Sequence, residues 1–420
     1  MKLSFHHSSF SKKRKAVLLK KVRTYTNKIS KLEKKNDYAL HESALFVAGD
    51  EKYQKSLKKS LASFKDIEHV ILVGIGGSNL GTEAVYRALA YKTSPSLTVL
   101  DTIDKDAIRT LEAQLANIAN PTKIALTVIS KSGTTTETMM NAVKVLEVCE
   151  KKYGEKFRKQ TIFIGDKDTS FFKIGKKKKI LCIPIPDSIG GRYSVFTAVG
   201  MVPLMLLGID VVSLREGALS AISKKELKNR EESAVTLALH AEKGVHTVNF
   251  FTFNNRLELC GFWYRQLLAE SIGKRMTTKG TTFAHALLPI VSTSVDLHSM
   301  AQLYLGGYKN MYTKFVYYNE HQPFHVLTKH WLLEHVPFLG KKTFDEVNDA
   351  IVHGVRRAYD DQKLPYAYIE LPKCTAFEIG FLLSSLMCEV MCLAYSLDVA
   401  PFDQPAAELY KKHTRRALGR

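Results

Sequence analysis

The chain reads as an α/β protein: two doubly wound parallel sheets, each in a three-layer α/β/α arrangement, with a helical N-terminal segment and a C-terminal helix. Three features predict this. From about residue 67, short runs rich in β-branched residues alternate with helical patterns. Those runs are apolar throughout rather than at every second position, as expected of strands covered on both faces. The series pauses after about residue 222 and restarts at 245, and 420 residues with 45% hydrophobic content can bury more than one core. The units expected are a basic helical segment over 1–66, a first α/β domain over 67–222, a second over 223–400 and a helical tail over 401–420.

In the first half, "HVILVGIGG" (69–77) is a strand entering a glycine turn, and 81–92 is a helix. Strands follow at 96–101, 123–130, 160–166 and 179–185, with helices from Lys105 and over 135–151. The run 190–210 carries a long apolar helix, too short to span a bilayer and interrupted by Pro203. The polar stretch 223–234 reads as a junction or exposed helix. The second half repeats the scheme: strands at 245–253, 285–291, 314–319 and 366–371, with helices ending at Glu270, starting at Asp296, and over 345–362 and 376–396.

Six scattered cysteines without paired spacing predict reduced thiols and no zinc site, and the opening residues lack a signal-peptide core, so a soluble cytoplasmic protein is expected. The net charge is +20, and residues 1–65 hold 17 Lys and Arg against 5 Asp and Glu. A basic amphipathic helix of this kind is most simply a solvated helix face. No recognition motif accompanies it, so nucleic acid is not expected as a partner.

Two strand-to-helix loops carry the chemistry. "GIGGSNLG" (74–81) fails the dinucleotide fingerprint, because Asn79 stands where the third glycine belongs. It also fails the triphosphate loop, because Thr82-Glu83 replaces the lysine and hydroxyl that should follow Gly81. What remains is a tight turn offering N–H groups, the Ser78 hydroxyl and a helix N-terminus to one anionic group. "SKSGTTT" (130–136) holds the same position two strands later, with more hydroxyls than one helix cap needs. Ligands of open parallel sheets bind beyond the carboxyl ends of the strands. The two loops predict a compact phosphorylated ligand held without metal.

The blocks "VGIGGSNLGTEAV", "VISKSGTTTET", "DSIGGRYSVFTAVG", "RQLLAESIGK", "DLHSMAQ" and "FDQPAAELYKK" stand in that order over residues 67–412. In sequence and order they resemble the glucose-6-phosphate isomerase (phosphoglucose isomerase) family. The resemblance implies two sugar-isomerase (SIS) domains, no cofactor, and interconversion of glucose 6-phosphate and fructose 6-phosphate, a step of glycolysis and gluconeogenesis. It implies substrate binding by Gly77, Ser78, Ser130, Lys131, Ser132 and Thr135, with Lys131 contributing mainly through its backbone.

Isomerising an aldose phosphate requires ring opening, a carboxylate base next to the carbonyl, and a fixed cation for the enediolate. Glu270 is the candidate base, with Gln266 four residues before it on the same helix face. Arg192, after two glycines, is the candidate cation, and His298 is the candidate for ring opening, an imidazole being a side chain suited to proton transfer. The resemblance assigns these roles and implies that His298 is supplied across a homodimer interface. It also implies that Lys411 aids ring opening, with Gln404 binding substrate beside it; the spacing of seven, two helical turns, puts these two on roughly the same face of the tail helix. The block departs from the family at Ala406-Ala407, where a glycine-valine pair is usual. Two other readings are an isomerase that also accepts mannose 6-phosphate and a non-catalytic sugar-phosphate sensor. The joint presence of Glu270, Arg192, His298 and Lys411 argues against the sensor.

Overall fold

The computed structural model describes residues 1–32, 38–90, 95–307, 309–320, 324 and 328–419. Each sheet has five strands. The first contains β2 (His69–Val73), β3 (Ser96–Leu100), β4 (Ile124–Ile129), β5 (Thr161–Gly165) and β6 (Leu181–Pro184), in the spatial order β3-β2-β4-β5-β6 and parallel throughout. β2, β4 and β5 are buried at every residue, which is why they read as continuous apolar runs. The chain goes outward from β2 to β3, then returns to the other side of β2 with β4. That reversal opens a crevice at the carboxyl ends of β2 and β4, where a ligand fits.

The second sheet contains β1 (Lys2–His6), β7 (Thr247–Thr252), β8 (Leu288–Thr293), β9 (Met311–Tyr318) and β10 (Tyr366–Leu371), ordered β1-β10-β9-β7-β8. Four strands are parallel and repeat the winding of the first sheet. β1 is the exception. It pairs antiparallel with β10, Lys2 opposite Glu370 and His6 opposite Tyr366, and covers what is otherwise an open edge. It falls within the segment expected to be only helical, so that expectation is corrected: one short, half-exposed strand precedes the helix.

The basic helix is present as Lys12–Leu32; the "EKKN" at the end of its run lies outside the described residues. Its apolar stripe of Leu18, Val22, Tyr25 and Ile29 is buried in the main core. Its charges face the helix Lys224–Glu242: Arg14 pairs with Glu242, Lys15 with Glu232 and Arg23 with Glu231. Part of the excess positive charge here is therefore matched within the protein. The stretch 223–234 is the start of that packed helix rather than an exposed junction, with Arg230 and Glu231 buried.

Two other helices differ from expectation. The run 190–210 splits into a short turn, Gly191–Tyr193, and a helix, Ala198–Leu206, because the backbone of 190–194 is used at the crevice. The helix expected from Asp296 is a 3-10 turn, Ser294–Leu297, followed by a π turn, Leu303–Gly307. The helix expected over 81–92 is Leu80–Leu89, and positions 91 and 92 lie outside the described residues. Helix Ala376–Ser396 is long and apolar enough to cross a membrane, and it is buried inside the protein.

Candidate active site

The two loops border the crevice from opposite sides. After β2 the chain makes the turn Gly76–Ser78 and enters the helix Leu80–Leu89. Gly76 sits at φ +64°, where a side chain is disfavoured. Asn79 fixes the turn from below: its amide donates to Glu83 at 2.6 Å and to Asp101 at 3.1 Å. Burial, and then the Asp101 charge, raise the Glu83 carboxyl above its usual range. Asp101, the residue placed to meet a ribose in a dinucleotide site, is thus tied to the turn itself.

The second loop follows β4. Thr135 is the N-cap of the helix Thr136–Tyr153 by position, yet its side chain makes no capping bond. Its hydroxyl instead accepts from Ser130 at 3.3 Å, while Ser130 Oγ takes the Gly133 N–H at 3.1 Å. Ser132 and Thr134 share a second hydroxyl pair at 2.9 Å. The helix therefore presents uncapped N–H groups and several hydroxyls to the crevice, a good setting for an anion. Lys131 turns its ammonium away, donating to the carbonyls of Asp187 at 2.7 Å and Ile189 at 3.1 Å. Its cation anchors the turn after β6 that leads to Arg192.

The 190–194 turn packs on the first loop. Gly77 lies so close to Gly191 that no Cβ fits between them, and Ser194 Oγ donates to the Gly77 carbonyl at 3.4 Å. Arg192 emerges here with its side chain 3% exposed. Nη1 donates to Glu270 Oε2 and to Gln404 Oε1, each at 3.0 Å. Nε donates to Ser271 Oγ at 3.0 Å, and Nη2 to the carbonyls of Pro401 and Asp403.

Glu270 and Gln266 come from the helix Glu258–Ile272, which follows β7. Gln266 Nε2 donates to Glu270 Oε1 at 2.9 Å, so the carboxylate is held on one oxygen by an amide and on the other by a guanidinium. The Gln266 carbonyl oxygen is buried without a hydrogen-bond partner among the described residues. Gln266 also adjoins the first loop, since a Cβ built at Gly76 would lie 2.9 Å from its Nε2. Loop, turn and helix thus form one continuous wall.

The structure brings together Arg192, Glu270, Gln266 and Gln404, and sets Gly77 and Ser78 against the Arg192 turn, with Ser130, Lys131, Ser132 and Thr135 in the adjoining loop. It does not join His298 or Lys411 to them. His298 is exposed at the end of the turn Ser294–Leu297, and Lys411 Nζ is held by Glu408 at 2.7 Å. Gln404 precedes the tail helix Ala407–Ala417, so the expectation of Gln404 and Lys411 on one helical face is corrected. Ala406, with helical φ and ψ, lets the helix begin directly after Pro405. Four participants escaped the sequence reading: Ser271 and Asp403, which accept from Arg192; Tyr193, whose hydroxyl is 2.8 Å from Ser271 Oγ; and Lys274, whose ammonium is 2.8 Å from Asp403 Oδ1. Their only signal was adjacency, each standing beside a candidate residue or inside its block.

A separate cavity of about 1190 Å³ opens beyond β7 and β9 of the second sheet. Phe253, Leu333, Val336 and Ile351 make its lining apolar, unlike a phosphate-binding wall.

Residues 52–418 match the family described as phosphoglucose isomerase. The glucose-6-phosphate isomerase of Clostridium tetani is 32% identical over 388 residues, 88% of this chain and 84% of that protein. A hypothetical protein from Thermus thermophilus shares the fold with a TM-score of 0.87 at 24% identity, over 99% of this chain and 100% of its own. A glucose-6-phosphate isomerase from Chlamydia trachomatis superposes with a TM-score of 0.76 at 19% identity, over 90% of this chain and 75% of its own. Paired sheets of this winding, a hydroxyl-rich loop and a carboxylate clamped by a guanidinium define an aldose–ketose isomerase. Within that class the chain belongs to the phosphoglucose isomerase family.

Proposed function

We propose that this chain interconverts D-glucose 6-phosphate and D-fructose 6-phosphate through ring opening and a cis-enediolate, serving glycolysis and gluconeogenesis. The observation that carries the reading is the Glu270 carboxylate, held between Gln266 and Arg192 beside two loops suited to a phosphate monoester. Ser78, Ser130, Ser132 and Thr135, with the Gly77 and Lys131 backbone, hold the phosphate. Glu270 takes the proton from C2 of the open aldose and returns it to C1. The negative charge that develops on the two oxygens is met by Arg192, a cation at every physiological pH. His298 and Lys411 move protons on and off the ring oxygen and O1. His298 acts from the second copy of a homodimer, a role its exposed position at the end of a turn supports.

The test is Glu270→Gln, assayed with fructose 6-phosphate in a coupled spectrophotometric assay. Loss of the base should lower kcat by about 10²- to 10⁴-fold while sugar-phosphate affinity changes little. Unchanged turnover would sink the mechanism.

A further inference from the structure

We propose that Ser271, backed by Tyr193, is a positioning residue that aims the Arg192 guanidinium. The inference rests on the isomerase reading above and names a part of the site that reading does not need.

Arginine has five N–H bonds to place. In this structure the acceptors are Ser271 Oγ for Nε, Glu270 Oε2 and Gln404 Oε1 for Nη1, and the carbonyls of Pro401 and Asp403 for Nη2. The acceptors differ in how firmly they are fixed. Gln404 is exposed and Glu270 is a third exposed, so a bound sugar can displace either from Nη1. The Nη2 acceptors belong to the loop that leads into the tail helix. Ser271 is fully buried on the helix that also carries Glu270.

Behind Ser271 stands Tyr193, 2.8 Å from Oγ and 1% exposed. Burial pushes the Tyr193 phenol up to about 12, so it keeps its proton and can donate it to Oγ. The lone pairs of the serine oxygen are then shared between the phenol and the Nε–H. The two contacts link neighbours: Tyr193 follows Arg192 and Ser271 follows Glu270. The turn carrying the cation is thereby registered against the helix carrying the base, through a buried hydroxyl that substrate does not reach. When a ligand takes over Nη1, the Nε bond remains as the pivot.

The test compares Ser271→Ala, Ser271→Thr and Tyr193→Phe in the full chain. Ser271→Ala should lower kcat by about tenfold or more, with KM for fructose 6-phosphate within about threefold, because binding is left intact while the cation is misaimed. Tyr193→Phe should do the same to a smaller degree, and Ser271→Thr, which keeps the hydroxyl, should recover most of the rate. A crystal structure of Ser271→Ala should show the guanidinium rotated from its parent position, with Nε–H turned away from residue 271. Variants that melt like the parent yet keep both kcat and KM within twofold would overturn the proposal, as would an unmoved guanidinium. A parent chain without isomerase activity would instead refute the functional reading, and the crystal structure would still test the Ser271 contact.

Discussion

Replacing Gly77 by alanine probes the closest approach in the site. A Cβ at this position would stand 2.2 Å from the Gly191 carbonyl carbon, 2.4 Å from its oxygen and 2.7 Å from the Arg192 nitrogen. All three are backbone atoms, so no rotamer change relieves the clash. Ordinary Cβ contacts begin at 3.4 Å; the two turns must therefore separate by about 1 Å, and one of the atoms pushed belongs to Arg192. Overpacking of this kind costs about 1–3 kcal/mol of stability. A misplacement of about 1 Å in a reacting group costs on the order of 10²-fold in rate. Gly77→Ala should therefore lower kcat/KM for fructose 6-phosphate by about 10²-fold with a modest fall in melting temperature. Gly190→Ala is the matched control: Gly190 has φ −75° and open space where its Cβ would go, so activity should stay within about twofold. Equal damage from the two substitutions, or a Gly77→Ala enzyme within threefold of the parent, would refute the reasoning.

Two further predictions concern buried charge. Lys314 is fully buried on β9, its ammonium 2.7 and 2.6 Å from the two oxygens of Glu389, which Ser233 and Tyr264 also bond. Glu389→Ala strands that ammonium and should cost about 3–5 kcal/mol by denaturant unfolding, whereas Lys314→Met with Glu389→Leu should recover most of the loss. Equal loss in the single and double variants would contradict this account. His240 is buried beside Ser8, Phe10 and Tyr312, and burial, helped by Lys243, lowers its pKa from 6.5 to about 4. Between those values the unfolded chain binds the proton and the folded one does not. Its contribution is therefore complete above pH 6.5 and is lost as pH falls toward 4. His240→Gln should flatten the stability slope in that window, and an identical slope in parent and variant would count against it.

The parallel strands were legible because burial on both faces writes an apolar run into the local sequence. β1 was not. "KLSFH" is short and half-exposed, and its pairing with β10 depends on residues at the far end of the chain. The turn after β8 was expected as a helix from Asp296, but the capping box that Thr293 and Asp296 form opens only a 3-10 turn. In the site, the hydroxyl loop stood out by its residue types, whereas Glu270 and Arg192 were reached through the resemblance of their sequence blocks to a known family. Ser271 and Tyr193 were hidden, since a serine and a tyrosine among apolar residues look like core filling until the guanidinium is seen bonded to the serine. The clash of Gly77 with Gly191 was equally hidden, being a property of two turns 114 residues apart.

The edge strand has a consequence for biosynthesis. β1 is translated long before its partner β10 is available, since Tyr366, opposite His6, lies 360 residues later in the chain. At about 5–20 residues per second, the opening strand waits roughly 20 to 70 s before it can pair. Over much of that interval the Leu18, Val22, Tyr25 and Ile29 stripe of the next helix also lacks the Ala376–Ser396 helix it packs against. β1 and this helix are thus made long before they can be placed, and the second sheet closes only after β10 has been translated.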